Sequence, residues 1–137
     1  MRILFLGQNP SAGHPQAFVG TKSGARLLKW IDEAGIPKEI CDFANVVEDF
    51  TMNNARPKMS DFSKYALARR ICSYDAIAVC GEFARKAVKS TAFFNKPDIA
   101  FIQHPSGLNR NLNSKDTVRE QIRVIKDLYE VSRARQG

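Results

Sequence analysis

The chain opens on an unbroken apolar run, Ile3 to Leu6, closed by Gly7. A short run without polar alternation, ended by glycine, suits a strand covered on both faces of a parallel sheet, so a first strand is predicted over 2–7. Residues 8–21 are rich in Gly, Pro, Ser and Asn and read as a loop. Leu27, Leu28, Ile31 and Ala34 then fall on one helical face, with Gly35 as the stop. A second strand is predicted over 42–47. The polar stretch from Glu48 to Met59 has no clear period, and Ser60 is placed to cap a helix running to about Ser73.

The alternation continues with a third strand from Ala76 to Cys80, ended by Gly81, and a helix from Glu82 to about Ser90 that carries Phe83, Ala84, Ala87 and Val88. A fourth strand, Ile99 to Gln103, leads directly into the segment HPSGLNRNLN. The last helix starts near Ser114 and sets Val118, Ile122, Ile125 and Tyr129 on one face. Four strands alternating with four helices predict a three-layer α/β/α sandwich with a four-stranded, mainly parallel sheet. No repeat, low-complexity tract or linker divides it, so 1–137 reads as a single domain. In such sheets ligands bind outside the C-terminal ends of the strands, where Gln8 to Ser11, Asn45 onward, Gly81 and Glu82, and His104 to Arg110 would converge.

Composition adds limits. A chain of 137 residues with 44% apolar content can bury a core without help from disulfides or a structural metal. The three cysteines, Cys41, Cys72 and Cys80, form no CxxC pair and lie near no histidine at a metal-ligand spacing, so they read as buried, reduced thiols. An odd cysteine count, no signal-peptide pattern and no apolar run near the roughly 18 residues of a membrane span predict a cytoplasmic protein with no membrane partner. Net charge is +7, from 21 Lys and Arg against 14 Asp and Glu. The excess lies mainly in 56–70, 85–96 and 110–135, and makes a polyanion a natural partner without singling one out.

Two motifs sharpen this. GQNPS at Gly7 to Ser11 and HPSGLNR at His104 to Arg110 resemble, in sequence and order, the signature motifs of the uracil-DNA glycosylase superfamily. AFVG at Ala17 to Gly20 resembles the segment whose phenylalanine stacks on the flipped base, and ANVV at Ala44 to Val47 the strand whose asparagine reads the base edge. All four elements lie within residues 3–112. The resemblance implies the superfamily's α/β/α fold and a monofunctional DNA glycosylase, needing no cofactor or metal and acting as a monomer on DNA with a flipped-out base.

Such a reaction expels the base as an anion from an oxocarbenium-like sugar, so it needs a donor aimed at the base carbonyl and a water against the opposite face of C1′. By resemblance, His104 is the donor, as a neutral imidazole, and Asn9 orients the water. An amide cannot take the water's proton, so turnover should be slower than in relatives with Asp there. Gln8, Ser11, Phe18 and Asn45 would bind the base. Phe18 would stack on it and Asn45 would pair with the O4 and N3–H edge of uracil, with Asn53 and Asn54 as competitors for that role. Ser11 stands where uracil-specific members carry a tyrosine that clashes with a 5-methyl group, which implies a pocket open to 5-substituted pyrimidines. Ser106, Gly107, Leu108, Asn109 and Arg110 would contact DNA, Ser106 on a phosphate and Leu108 to Arg110 in the gap left by the base.

The pattern departs from the family in places. The stretch between Asn9 and Phe18 is several residues short, and HPSGLNR carries His where the similar mismatch-specific members carry Asn. The mismatch-specific and single-strand-selective branches are the most similar. One branch binds an iron–sulfur cluster through four cysteines, one of them near the position of Asp49, and three cysteines exclude that arrangement. Two other readings stay open: a catalytically silent relative that binds DNA or a protein, and a flavodoxin-like nucleotide-binding protein. No GxGxxG or GxxxxGK[ST] follows the first strand to support the second. For His104 and Asn109 the plain alternatives are a satisfied structural histidine and a turn residue.

Overall fold

The strands are β1 (Ile3–Gly7), β2 (Cys41–Asn45), β3 (Ala76–Cys80) and β4 (Asp98–Ile102), and the helices are α1 (Lys22–Glu33), α2 (Lys64–Ile71), α3 (Glu82–Lys89) and α4 (Lys115–Gln136). The computed structural model describes residues 1–8, 17–18, 20–47, 57–91, 97–106 and 109–136. All four strands are parallel, in the order β2-β1-β3-β4. Every residue of β1 and β3 is buried, as their unbroken apolar runs require.

Alternate residues of the central strands feed two cores. Ile3, Phe5, Ala76 and Ala78 pack with Leu27, Trp30 and Ile31 of α1 and Ile125 and Leu128 of α4. Leu4, Leu6, Ile77 and Val79 pack with Leu67 and Ile71 of α2 and Ala84, Ala87 and Val88 of α3. Burial of each large apolar side chain contributes about 1.5–3 kcal/mol. The result is the three-layer α/β/α sandwich, with the chain reversing its direction of travel across the sheet between β1 and β3. That reversal opens a crevice at the C-terminal ends of these strands.

Several sequence expectations shift. β2 begins at Cys41 because Ile3 pairs with Cys41, and it ends at Asn45 opposite Gly7; beyond it, the Val46 and Val47 amides still donate to the Gly7 and Gln8 carbonyls. β4 lies one residue earlier than predicted, in register with Ala76–Cys80. α2 is capped by Ser63, whose hydroxyl accepts from the Ala66 amide, and not by Ser60: the segment before it is a turn closed by the Lys58 amide on Asp61. On α1, Leu28 is 38% exposed and Trp30 takes its place in the core. On α4, the most buried line runs Gln121, Ile125, Leu128 and Ser132, while Val118, Ile122 and Tyr129 are partly buried.

At the N-terminal edge of the sheet, polar groups close on one another. Arg2 makes a bidentate ion pair with Asp42, which also accepts from the Tyr74 hydroxyl at 3.0 Å. The Arg2 amide donates to Asp75 at 2.9 Å, and Arg135 of α4 pairs with Asp98 at 2.9 Å. The Arg2 guanidinium holds the Asp42 carboxyl below the usual range. No described helix is long and apolar enough to cross a membrane.

Candidate active site

The C-terminal edge is built differently, from close approaches. At the end of β1, a Cβ on Gly7 would lie 2.7 Å from Asn45 Oδ1 and 2.9 Å from the Phe18 ring. Only glycine lets the Asn45 amide and the Phe18 ring close over the strand end. Asn45 is fixed there by the Gly7–Asn45 register.

Phe18 has a positive φ of 63°, which for a non-glycine residue costs about 1 to 3 kcal/mol and persists only where its surroundings enforce it. Two neighbours do so. Thr21 caps α1 by accepting from the Gly24 amide at 2.9 Å, and its hydroxyl donates to the Phe18 carbonyl at 3.1 Å. A Cβ at Gly24 would sit 1.5 Å from that carbonyl, so the helix admits the Phe18 turn only because it carries glycine one turn in. Phe43 meets the Phe18 ring edge-on at 6.2 Å and stacks on Phe5 at 5.7 Å. An apolar cavity of about 410 Å³ opens beside Phe18, lined also by Thr21, Gly24, Leu28 and Phe43.

The His104 imidazole lies 5.9 Å from the Phe18 ring, centroid to centroid. Its Cβ packs against Gly81, where an added Cβ would be 3.1 Å away and φ is 89°. Burial lowers its pKa below the ordinary 6.5, so the ring is neutral near pH 7 and can donate one N–H. Among the described residues, neither this imidazole nor the Asn45 side-chain amide makes a hydrogen bond, and no buried side-chain N or O is left without a partner. Both groups are therefore reachable by a ligand.

The loop carrying His104 is held from three sides. Gln121, buried on α4, accepts from the Gln103 amide at 2.8 Å and donates to the Thr117 carbonyl. Asn109 donates to the Gln103 side chain and to the His104 carbonyl, both at 3.1 Å, and accepts from the Asn111 amide. From α1, Arg26 donates to the Ser106 carbonyl at 3.2 Å, tying the helix behind Phe18 to the segment behind His104.

The structure thus brings Phe18, Asn45 and His104 together. Gln8 lies beside them, half-buried, with its carbonyl bonded to Val47. Ser106 is half-buried in the His104 segment, and Arg110 is exposed at the start of the 3-10 turn Arg110–Asn113. The Asn109 side chain is fully occupied in shaping its own loop, which corresponds to the turn alternative for that residue. Asn9, Ser11, Gly107 and Leu108, with Asp49, Asn53 and Asn54, lie outside the described residues.

Sequence reasoning missed Phe43, Thr21, Gly24, Arg26 and Gln121. A glycine inside a helical pattern is a readable sign of close backbone approach, as at Gly24. The other four act through long-range contacts that no local pattern announces. Cys41 and Cys80 are poor nucleophiles, since burial pushes Cys41 up to about 11 and Cys80 higher still. Among the described residues, no three of His, Cys, Asp and Glu lie close enough to hold a metal ion.

An aromatic face, an amide edge and a neutral N–H donor suit a planar heterocycle on which negative charge develops. The family model of the uracil DNA glycosylase superfamily matches residues 1–128, a span that includes all four strands and the segments bearing Phe18, Asn45 and His104. No curated protein matches the chain.

Proposed function

The chain belongs to the uracil-DNA glycosylase superfamily, and from that premise we propose that it is an active, monofunctional DNA glycosylase that excises uracil or a 5-substituted pyrimidine from DNA. The observation that carries this reading is the convergence of Phe18, Asn45 and His104 over Gly7, with the Asn45 amide and the His104 imidazole both open to a ligand. The flipped base stacks on Phe18, and Asn45 donates to O4 and accepts from N3–H. Cytosine reverses that pattern and would leave both groups wrongly paired, which is how a polar site rejects the analogue.

In the reaction the C1′–N1 bond breaks and its electron pair leaves with the base. The neutral His104 N–H donates to the base carbonyl as the charge grows. A water held by Asn9 adds its oxygen to C1′; its proton ends on the departing base, and an abasic sugar remains. A donor already in place for the developing charge is worth about 3 to 4 kcal/mol. By the resemblance, Ser11 in place of a tyrosine would leave room for a 5-substituent.

The test is abasic-site formation on oligonucleotides carrying uracil, thymine opposite guanine, 5-hydroxymethyluracil or a larger 5-adduct. The reading requires product from at least one, and processing of one 5-substituted base at a rate comparable to uracil. Ser11→Tyr should then suppress the substituted base selectively, by steric rejection. DNA binding with no product from any of these bases would instead identify a catalytically silent relative.

A further inference from the structure

We propose that α3 and the outer edge of β4 form a second contact surface for the DNA backbone, in which Arg85 and Lys89 hold phosphates flanking the crevice. The inference rests on the reading of the crevice as a DNA site, and extends it to a face of the molecule that the motifs do not reach.

The charge is unevenly placed. α2 and α3 carry Lys64, Arg69, Arg70, Arg85, Lys86 and Lys89 against a single acid, Glu82. On α4, by contrast, Arg123 bonds Glu120 and Asp127, Arg119 pairs with Asp116 at 3.5 Å, and Arg135 pairs with Asp98. Arg85 and Lys89 have no carboxylate partner among the described residues. Instead both stand over one ring: the Arg85 guanidinium lies 4.9 Å and the Lys89 ammonium 5.6 Å from the centroid of Phe101. The ring's negative face holds two like charges together without neutralising either.

Their position relative to the crevice is fixed by the fold. Gly81, at the start of α3, touches His104, and Arg85 and Lys89 follow one and two turns on, about 6 and 12 Å along the axis. Phe101 lies three residues before His104 on β4, roughly 10 Å back along the strand. The pair therefore lies on the side of the molecule adjoining the crevice, roughly 10 Å from His104 along the strand. Among the described residues β4 is the outer strand of the sheet, and no further strand covers this side. A groove of about 210 Å³ runs there, lined by Arg85, Phe101 and Gln103 and also by Glu82 and Glu120. Glu120 is neutralised by Arg123, and Glu82 sits in the first turn of α3, where the helix dipole favours an acid.

The experiment measures the salt dependence of binding to a fluorescein-labelled, unmodified duplex in a His104→Ala background, so that the readout does not depend on catalysis. Arg85→Gln with Lys89→Gln should flatten the slope of log K against log salt by about 0.9 for each lost phosphate contact. Arg85→Lys with Lys89→Arg, which keeps both charges, should retain the slope, and Arg119→Gln with Arg133→Gln on α4, neither of which lines the groove, should leave it unchanged. Thermal melts confirm that each variant is folded. An unchanged slope in the Gln pair, or an equal loss in the α4 pair, overturns the surface while leaving the glycosylase reading intact. A flattened slope in a protein that forms no abasic sites would keep the surface and sink the glycosylase reading.

Discussion

The two edges of one sheet use polar side chains in opposite ways. At the N-terminal edge, Arg2, Asp42, Tyr74 and Asp75 satisfy one another, and Asp98 is closed off by Arg135. At the C-terminal edge, Asn45 and His104 are held in place by their backbones and neighbours while their own hydrogen-bonding groups lack partners among the described residues. One edge closes the fold, and the other keeps its donors and acceptors available. The contrast shows that position at a sheet terminus does not make a site. What marks the site is the effort made to hold unpaired groups: a strained Phe18, three glycines packed against side chains or a carbonyl, and a loop laced to α1 and α4.

The contrast is broken most directly by His104→Ala. Turnover should fall about 100-fold or more while DNA binding stays within a few-fold, since a transition-state donor acts mainly on the chemical step. Single-turnover abasic-site formation beside equilibrium binding checks this, and equal loss of both would remove His104 from that role. Gly24→Ala tests the scaffold. The new methyl must displace the Phe18 carbonyl, and misplacing the stacking ring by about 1 Å should lower turnover roughly 10- to 100-fold, with a lower Tm.

The pH profile sharpens the comparison. Burial lowers the His104 pKa in the free protein, so the acid limb of kcat/KM should fall below the ordinary 6.5. Between that lowered value and 6.5 the unfolded chain binds more protons, and the contribution of His104 makes stability rise with pH across this window only. Asp42 has the same sign, because its folded pKa is lowered as well: its contribution is present above the ordinary 3.8 and is lost as pH falls through its lowered folded value. The smallest expected effect is at this far edge. Asp42→Asn should lower Tm slightly, because the pair is partly exposed, and leave turnover unchanged.

Much of the fold was legible because β1 and β3 are fully buried parallel strands, whose apolar runs admit few other readings. β3 was read to the residue, and Gly35 marked the end of α1, where it takes a φ of 76°. Boundaries failed where tertiary contacts decide. Ser63 caps α2 because Asp61 closes the preceding turn, and Leu28 yields to Trp30 because α4 packs on that side of α1. The site was legible through its motifs. Its supports were not, since Arg26 meets Ser106 across 80 residues and Gln121 meets Gln103 across 18.

The central claim is that Phe18, Asn45 and His104 receive one flipped base. A duplex containing a 2′-fluoro-deoxyuridine nucleotide tests it most directly, because the fluorine disfavours the oxocarbenium-like sugar and keeps the base attached. NMR spectra of the Asn45 side-chain amide and the His104 imidazole should shift on binding this duplex and stay in place with an unmodified one. If both duplexes perturb only the Arg110 region and the Asn45 and His104 signals do not move, the protein binds DNA without receiving a base there, and the account is wrong.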